Sequence, residues 1–439
     1  MRGLVLLSDD IGPRVAGPAI RAIALARVLA DAGLEATIAT LGSAEQVGER
    51  IEAVSLRERR ARTLVDESAV VIIMGPIYRL MPWLAEHPVP IVMDLYDPYH
   101  IEYAARAIAQ GIEPRPGVVD LQDEIDAQLA RADLVLCSNE RQRRLWAERL
   151  SAIGRIPAGS DPGALVAIAP FGTDAPPQKR SGAIRGRLPG VSSDDVIAIW
   201  GGGVYDWFDP VTLVEAMAVA ASREPRLKLV FLSSAGSPEA TTKLGGAVRR
   251  ADELGLLGTR VHFNPGWVAY EERANWLTDA DFGVTVHPES EETYYSHRTR
   301  DLDYLWAGLP IVTSDGDVFA ELVRAEELGV VVPPGDPFAL AEALVALAGD
   351  SQRRACLHRR VVTFAPQLRW SRTLAPFAEF AADPRRSSVK PVSAPQPIPA
   401  RSSVRELTRS FWAAIRAGGL VGLCERLAAR RARRKLGGS

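Results

Sequence analysis

Short apolar strands that alternate with helix-length segments, twice over, are what most restrict the fold of this chain. Residues 3–7, 36–40, 70–74 and 91–95 are short, largely apolar runs, and 134–137 adds a fifth. Between the first two, residues 18–33 carry Ile20, Ile23, Leu25, Val28 and Leu29 mostly on one stripe. Pro18 stands near the first helical position and Gly33 just past the end, as a helix prefers. Strands separated by helices of this length predict a parallel, doubly wound α/β sheet, which holds ligands at the carboxyl ends of its strands. After a Pro- and Gly-dense break around 167–177, the alternation resumes at 196–200, 228–232, 258–267 and 282–287. The spacing therefore predicts two such domains, with a connection between them.

Three stretches gather chemistry at predicted strand ends. Gly17 lies in the loop before the first helix, with Arg14 and Arg21, where a glycine lets backbone approach a ligand or simply makes a turn. MDLYDPYHIEY, residues 93–103, sets Asp94, Asp97 and His100 beside Tyr96 and Tyr99. Acids, an imidazole and rings suit a pocket for a hydroxylated acceptor, while Asp97 also reads as the N-cap of a helix starting at Pro98. Gly201, Gly202 and Gly203 follow the strand 196–200 and precede a helix, 210–221, capped by Asp209. Such glycines permit backbone to approach phosphate, though three alone are a weak signal and GGGVYDW is no dinucleotide fingerprint. Between these, the helix 138–150 is expected to start at Ser138, its arginines forming a solvated face.

The densest stretch is EETYYSHRTRDLDYLWAGLPIVTSD, residues 291–315. It reads as a loop over 291–299, a helix over 300–307 stopped by Gly308 and Pro310, and a strand over 311–313. The helix start carries Arg298, Thr299 and Arg300, and its free N–H groups and positive dipole end favour a phosphate. Asp303, one turn in, is placed to accept from sugar hydroxyls. Capping and surface pairing would use the same residue types.

The run RTRDLDYLWAGLPIV resembles the signature of family-4 retaining glycosyltransferases of the GT-B fold. It is closest to the variant Pro-Thr-Lys-x-x-Glu-Tyr-x-x-x-Gly-x-Pro seen in polysaccharide glycosyltransferases. GPRVAGPAIRAIALARVLADAG is similar to the family's first loop and helix, and Pro170-Phe171-Gly172 to the Pro-x-Gly before its interdomain linker. The resemblance implies two Rossmann-like domains facing a cleft, a last helix crossing back onto the first domain, and sugar transfer from a nucleotide-sugar donor without a metal or other cofactor. It puts Asp303 on the ribose-binding Glu and Arg300 on the Lys. Two departures stand out. The loop after residue 200 lacks the Arg and Lys that relatives direct at the diphosphate, and Tyr295, eight residues before Asp303, replaces a sugar-contacting Glu. Glu291, Glu292 and His297 are the nearby candidates for that contact.

Bulk properties narrow the remainder. Three Cys make an odd set without metal spacing, and six His form no ligand cluster, so neither a disulfide framework nor a metal is expected. The apolar start, 3–7, is too short for a signal peptide, and nowhere do ~18 apolar residues run together, so the chain is expected in the cytoplasm. Residues 401–439 hold ten Arg and Lys against two Glu, on a chain whose formal net charge is −2. There Leu407, Phe411, Trp412, Ile415, Leu420, Leu423 and Leu427 recur at helical spacing. This basic helical tail, after a Pro-rich linker over 383–400, is expected to dock on the inner face of an anionic membrane or on a protein partner, and not on nucleic acid.

The expected organisation is an acceptor domain over 1–175, a nucleotide-sugar domain over 185–365, a returning helix over 366–382, then linker and tail. The expected activity is retaining transfer of a sugar to a glycan or lipid-linked acceptor. Arg298, Arg300, Asp97 and His100 are the expected catalytic residues, and Gly17, Gly201, Gly202, Gly203, Thr299, Arg300 and Asp303 the donor-binding set. A catalytically silent, membrane-tethered scaffold and a sugar-nucleotide epimerase are the competing readings.

Overall fold

The computed structural model describes residues 1–12, 17–45, 47–56, 58–178, 182–232, 241–266 and 268–390. Arg14, Trp267, most of the linker and the whole basic tail lie outside them. The chain forms two compact units, Met1–Phe171 with the segment from Trp370 onward, and Gly172–Arg369.

Unit 1 holds β1 (Arg2–Leu7), β2 (Glu35–Thr40), β3 (Ile51–Ser55), β4 (Ser68–Met74), β5 (Ile91–Asp94), β6 (Leu134–Cys137) and β7 (Val166–Ile168). They line up as β3-β2-β1-β4-β5-β6-β7, every pairing parallel. The crossover helices are α1 (Gly17–Asp31), α2 (Glu58–Asp66), α3 (Tyr99–Ala109), α4 (Arg115–Arg131) and α5 (Glu140–Ala152). Successive strand residues face opposite ways, and both faces are covered. Leu4, Leu6, Ile73 and Met93 join a core with Tyr103, Ile125 and Trp146 of α3, α4 and α5. Val5, Leu7, Ile72 and Val92 join another with Leu25 and Leu29 of α1. Double coverage is why these strands are apolar throughout and not alternating.

Two expected helix starts are corrected. The N-cap of α3 is Pro98, without a side-chain cap, and the Tyr99 N–H donates to the backbone oxygen of Asp97 (2.9 Å). Helix α5 is capped one residue later than expected, with Asn139 accepting from Gln142 N (2.9 Å). The Ser138 hydroxyl instead donates to Tyr96 O (2.6 Å), tying two strand ends together.

Unit 2 holds β8 (Val196–Trp200), β9 (Leu227–Phe231), β10 (Val261–Phe263), β11 (Phe282–Thr285), β12 (Ile311–Ser314) and β13 (Gly329–Val332). Their order is β10-β9-β8-β11-β12-β13, again all parallel. The order reverses between β8 and β11, which makes the carboxyl ends of those two strands the natural ligand crevice. Helices α6 (Pro210–Ala221), α7 (Thr241–Glu253), α8 (Arg273–Leu277), α9 (Glu291–Tyr295), α10 (Thr299–Trp306), α11 (Val318–Ala325), α12 (Pro337–Gly349) and α13 (Ser351–Phe364) complete it. Aspartates cap α6, α11 and α12: Asp209 accepts from Thr212 N, Asp317 from Ala320 N and Asp336 from Phe338 and Ala339 N. The expected loop 291–299 contains α9, begun by the Ser290 hydroxyl, which accepts from Thr293 N (3.0 Å).

The chain then returns to unit 1 as α14 (Trp370–Thr373) and α15 (Ala375–Ala382). One helix is expected over 366–382; Pro376 sits in the first turn of α15, where no donor is needed. Leu374, Phe377 and Ala381 enter the core beside α1, and Trp370 packs on Phe171 with ring centroids 4.7 Å apart.

Candidate functional site

The site in unit 2 is built from the segment leaving β8 and the start of α10. Gly201 N–H donates to the Tyr304 hydroxyl (2.8 Å), which in turn donates to Val284 O on β11 (2.9 Å). Gly202 takes a positive φ of 84°, a conformation open to glycine without penalty. The segment then crosses the end of β11, where Asp209 N–H donates to Val286 O (3.0 Å). Along it Tyr205 and Trp207 stack on each other, with ring centroids 5.0 Å apart.

Arg300 points into this segment. Its guanidinium carbon lies 4.2 Å from the ring centroids of both Trp200 and Phe208. Nη2 donates to Gly203 O, while Nε and Nη1 are buried without a hydrogen-bond partner. Burial pulls its pKa down to about 10, so it remains a cation at neutral pH. A desolvated cation with idle N–H groups beside a glycine turn has the chemistry to receive an anion, since leaving such groups unpaired is costly.

Arg298 is placed otherwise than expected. Its fork is closed on Glu292, Nη1 to Oε1 and Nη2 to Oε2 each at 2.8 Å, with Asp317 Oδ2 3.6 Å from Nε. All three residues are buried. Burial opposes the charge on Arg298, but Glu292, Asp317 and Asp301 outweigh it and hold its pKa up. A guanidinium whose bidentate face is taken orders the turn between α9 and α10 and does not offer that face to a phosphate. Burial pushes the Asp301 carboxyl up, helped by Asp317, even though Thr285 Oγ1 donates to it (2.7 Å). Asp317 goes the other way: burial would raise it, but His287, Arg298 and the Ala320 N–H hold it below the usual carboxylate range.

Asp303 sits one turn into α10, about a third exposed, with Arg273 Nε 3.2 Å from Oδ1. Thr299, the first residue of α10, is exposed. Of the residues near the missing Glu, Glu291 is exposed, Glu292 is consumed by Arg298, and His297 packs its ring on Phe319 (4.8 Å). At the other end of α10 a cavity of about 490 Å³, lined by Trp306, Leu309, Arg354 and His358, lies at the amino ends of the strands. That is the side away from the crevice.

In unit 1 the acceptor cluster is largely dismantled. Asp94 pairs with Arg21, Nε to Oδ2 at 2.7 Å and Nη2 to Oδ1 at 2.8 Å, both side chains fully buried. His100 faces the core, its ring 6.0 Å from that of Trp146, so a catalytic role does not fit. Asp97 is only partly buried at the end of β5, and Gly17 opens α1 with space for a Cβ 3.9 Å from the Tyr96 hydroxyl. These two remain at the carboxyl-end rim of unit 1.

His100 yields a test of its own. Burial, aided by Arg149, lowers its pKa to about 4. The unfolded chain takes up this proton near pH 6.5 and the folded chain only near 4, so stability falls as pH drops through that window. His100→Phe is expected to remove roughly 3 kcal/mol of that pH dependence between about pH 6.5 and 4. Urea unfolding at a series of pH values measures it; parallel curves for both proteins would mean His100 is solvated.

Sequence reasoning missed Glu292 as the partner of Arg298 and Arg273 as the partner of Asp303. The first pair is six residues apart across a helix break, and the second is thirty apart on separate helices. No local spacing signals either.

Two parallel sheets with reversed strand order, the second bearing a glycine turn at its crevice, have the GT-B architecture. Structural relatives agree: sucrose-phosphate synthase from Thermosynechococcus elongatus superposes with a TM-score of 0.64 at 17% identity, covering 87% of this chain and 98% of that one. Anabaena HepE in complex with UDP-glucose gives 0.61 at 16%, covering 86% and 99%. Residues 201–350 match the model of the family "Glycosyl transferases group 1". D-inositol 3-phosphate glycosyltransferase of Jonesia denitrificans is 22% identical over 294 residues, 66% of each chain. D-inositol 3-phosphate glycosyltransferase 2 of Catenulispora acidiphila is 26% identical over 309 residues, 68% of this chain. The alignments span 66%, just under two thirds, of these relatives' own lengths.

Proposed function

We propose that this protein transfers a sugar from a nucleotide-sugar donor to a glycan or lipid-linked acceptor, with retention of anomeric configuration. The observation that carries the reading is Arg300, a buried cation with two unpartnered nitrogen donors against the Gly201–Gly203 turn, in the crevice where α/β sheets hold ligands. Relatives point the same way, since HepE has been solved with UDP-glucose bound. In this reading Arg300 and backbone N–H groups of the glycine turn neutralise the leaving phosphate, and Asp303 meets the ribose. The acceptor hydroxyl approaches the face of the anomeric carbon that the phosphate leaves, so stabilising the departing charge is the main catalytic contribution. Arg300 Nε and Nη1 lie covered, so the segment from Gly203 to Phe208 must give way as the anion enters.

A scaffold without catalysis has no use for an unpaired buried cation, which disfavours it. The test is a panel of UDP-, GDP- and dTDP-sugars, scored for binding and for sugar transfer to glycan and lipid-linked acceptors. Binding and transfer with at least one donor are expected; silence across the panel would refute the proposal, and release of an altered free sugar nucleotide would mark an epimerase.

The ten cations of residues 401–439 support attachment to an anionic membrane, at about 1 kcal/mol per cation near the surface. Removal of 401–439 is expected to abolish co-sedimentation with phosphatidylserine vesicles while sparing transfer to soluble acceptors. Undiminished co-sedimentation would assign the membrane contact, if any, to another part of the chain.

A further inference from the structure

The linker expected over 383–400 does not leave the protein where α15 ends. Phe377 and Ala381 of α15 lie in the core that α1 covers, whereas Val389 packs against the core of Ile125, Leu129 and Trp146 on the opposite face of the sheet. The intervening residues pass under the amino ends of β5 and β6, and the bonds they make there are specific. Asp133, the residue before β6, has a side chain only 1% exposed. Its Oδ2 accepts from Ile91 N (2.9 Å) and Arg131 Nη1 (2.8 Å), both in the body of unit 1. Its Oδ1 accepts from Arg386 Nε and Ser387 N, each at 3.0 Å, and from no other described residue. One carboxylate oxygen fixes the receptor and the other is held out to the passing chain.

Arg155 supplies a second anchor. Its Nη2 donates to Val389 O (3.2 Å), and the same fork holds Leu129 O and Ala132 O at the end of α4. Between the anchors, Val389 N–H donates to the Ser387 hydroxyl (3.1 Å), which curls the segment. Arg386 Nη1 also donates to His87 O (3.4 Å). A buried carboxylate left half-paired is costly, so the receptor favours being occupied. Arg386 and Asp133 are 253 residues apart in the chain, and no local spacing announces them as partners.

We propose that Asp133 and Arg155 form a docking site for the chain's own residues 386–389, and that this strap is the root from which the basic segment 401–439 attaches unit 1 to a membrane. The second half rests on the reading of that segment as membrane-binding. A tether loose from the end of α15 would run through the eighteen residues 383–400, whereas a docked strap leaves only the ten of 391–400. At about 3.5 Å per residue fully extended, docking cuts the greatest reach from about 63 Å to about 35 Å. The root also lies at the amino ends of the strands, away from the rim that carries Gly17 and Asp97.

The experiment compares the full chain with the variant Arg386→Ala, Ser387→Pro, which removes both donors to Asp133 Oδ1 and none of the residues placed at either rim. Hydrogen exchange is expected to find the 387 and 389 amides of wild type protected at least about tenfold over a free peptide of the same sequence, and those of the variant unprotected while β1 and β4 exchange as before. Fast exchange at 387 and 389 in wild type would overturn the docking. Arg386→Ala alone, at a side chain 41% exposed, is expected to lose part of the protection and serves if the double variant unfolds. For the root, a dye is placed at the exposed Glu86→Cys, with Cys356→Ser and Cys424→Ser, and energy transfer is read to acceptor-labelled phosphatidylserine vesicles. Both proteins are expected to bind the vesicles, since residues 401–439 are intact, with transfer efficiency falling about twofold or more once the strap is released. Equal efficiency would overturn the strap as root. Wild type that shows protected amides but no vesicle binding would remove the membrane reading, and the root with it, and leave the docking site.

Discussion

Arg300→Ala is expected to lower donor affinity or turnover at least about a hundredfold, the scale seen when a preorganised charge at a developing anion is removed. The arginine lies against Trp200 and Phe208, whose rings meet edge to face, and is steadied by Gly203 O. No Lys or Arg occurs among residues 201–210, so the turn brings no cation of its own and meets that of Arg300. Arg300→Lys separates charge from geometry. A lysine has no planar face to lay against a ring and no fork to present, so partial rescue is expected. Titration with the donor found in the nucleotide-sugar panel measures both variants, and near-normal affinity in Arg300→Ala would place the anion elsewhere.

Arg298→Ala should behave differently, costing stability first. Breaking a buried ion pair from one side strands its partner and costs about 3–5 kcal/mol. Here Glu292 would lose both bonds from Arg298, and Asp317 a nearby cation. Glu292→Ala is expected to cost a similar amount. The combination Glu292→Leu with Arg298→Met is expected to recover much of the loss, because apolar replacement of a whole buried pair is often tolerated. Urea unfolding measures all three. Donor affinity of folded Arg298→Ala, taken at a denaturant-free temperature well below melting, should change less than in Arg300→Ala. A larger affinity loss at unchanged stability would return Arg298 to the phosphate.

The contrast between these two arginines shows what the sequence can and cannot disclose. Strands such as β4 and β8 are legible because burial on both faces leaves them almost wholly apolar, as in SAVVIIM and VIAIW. Helix ends were legible where one side chain does the work, as with Asp209 and Gly308, whose φ of 78° a glycine accommodates. Strand β3, with the polar pattern IEAVS at the sheet edge, and α13, mostly exposed and rich in Arg, carry no apolar stripe strong enough to announce themselves. The motif around α10 holds Arg298, Arg300 and Asp303 within two turns of one another. What it could not assign was which arginine is committed, since that depends on Glu292 folding back from α9. His100 erred for a related reason: a polar residue just after a strand suggests a site, but one helical step turned it onto Trp146.

Tyr304 carries a consequence for exchange between related proteins. Its hydroxyl joins Gly201 to Val284, and its ring lies where a Cβ on Gly283 would come within 2.3 Å. Glycine turn, central strand and recognition helix are thus mortised through a single phenol. A chimera that imports the 299–306 helix from a homologue, in order to change which nucleotide is accepted, would have to bring matching residues at 201, 283 and 304 as one set. Swapping the helix alone would jam the joint or leave it hollow.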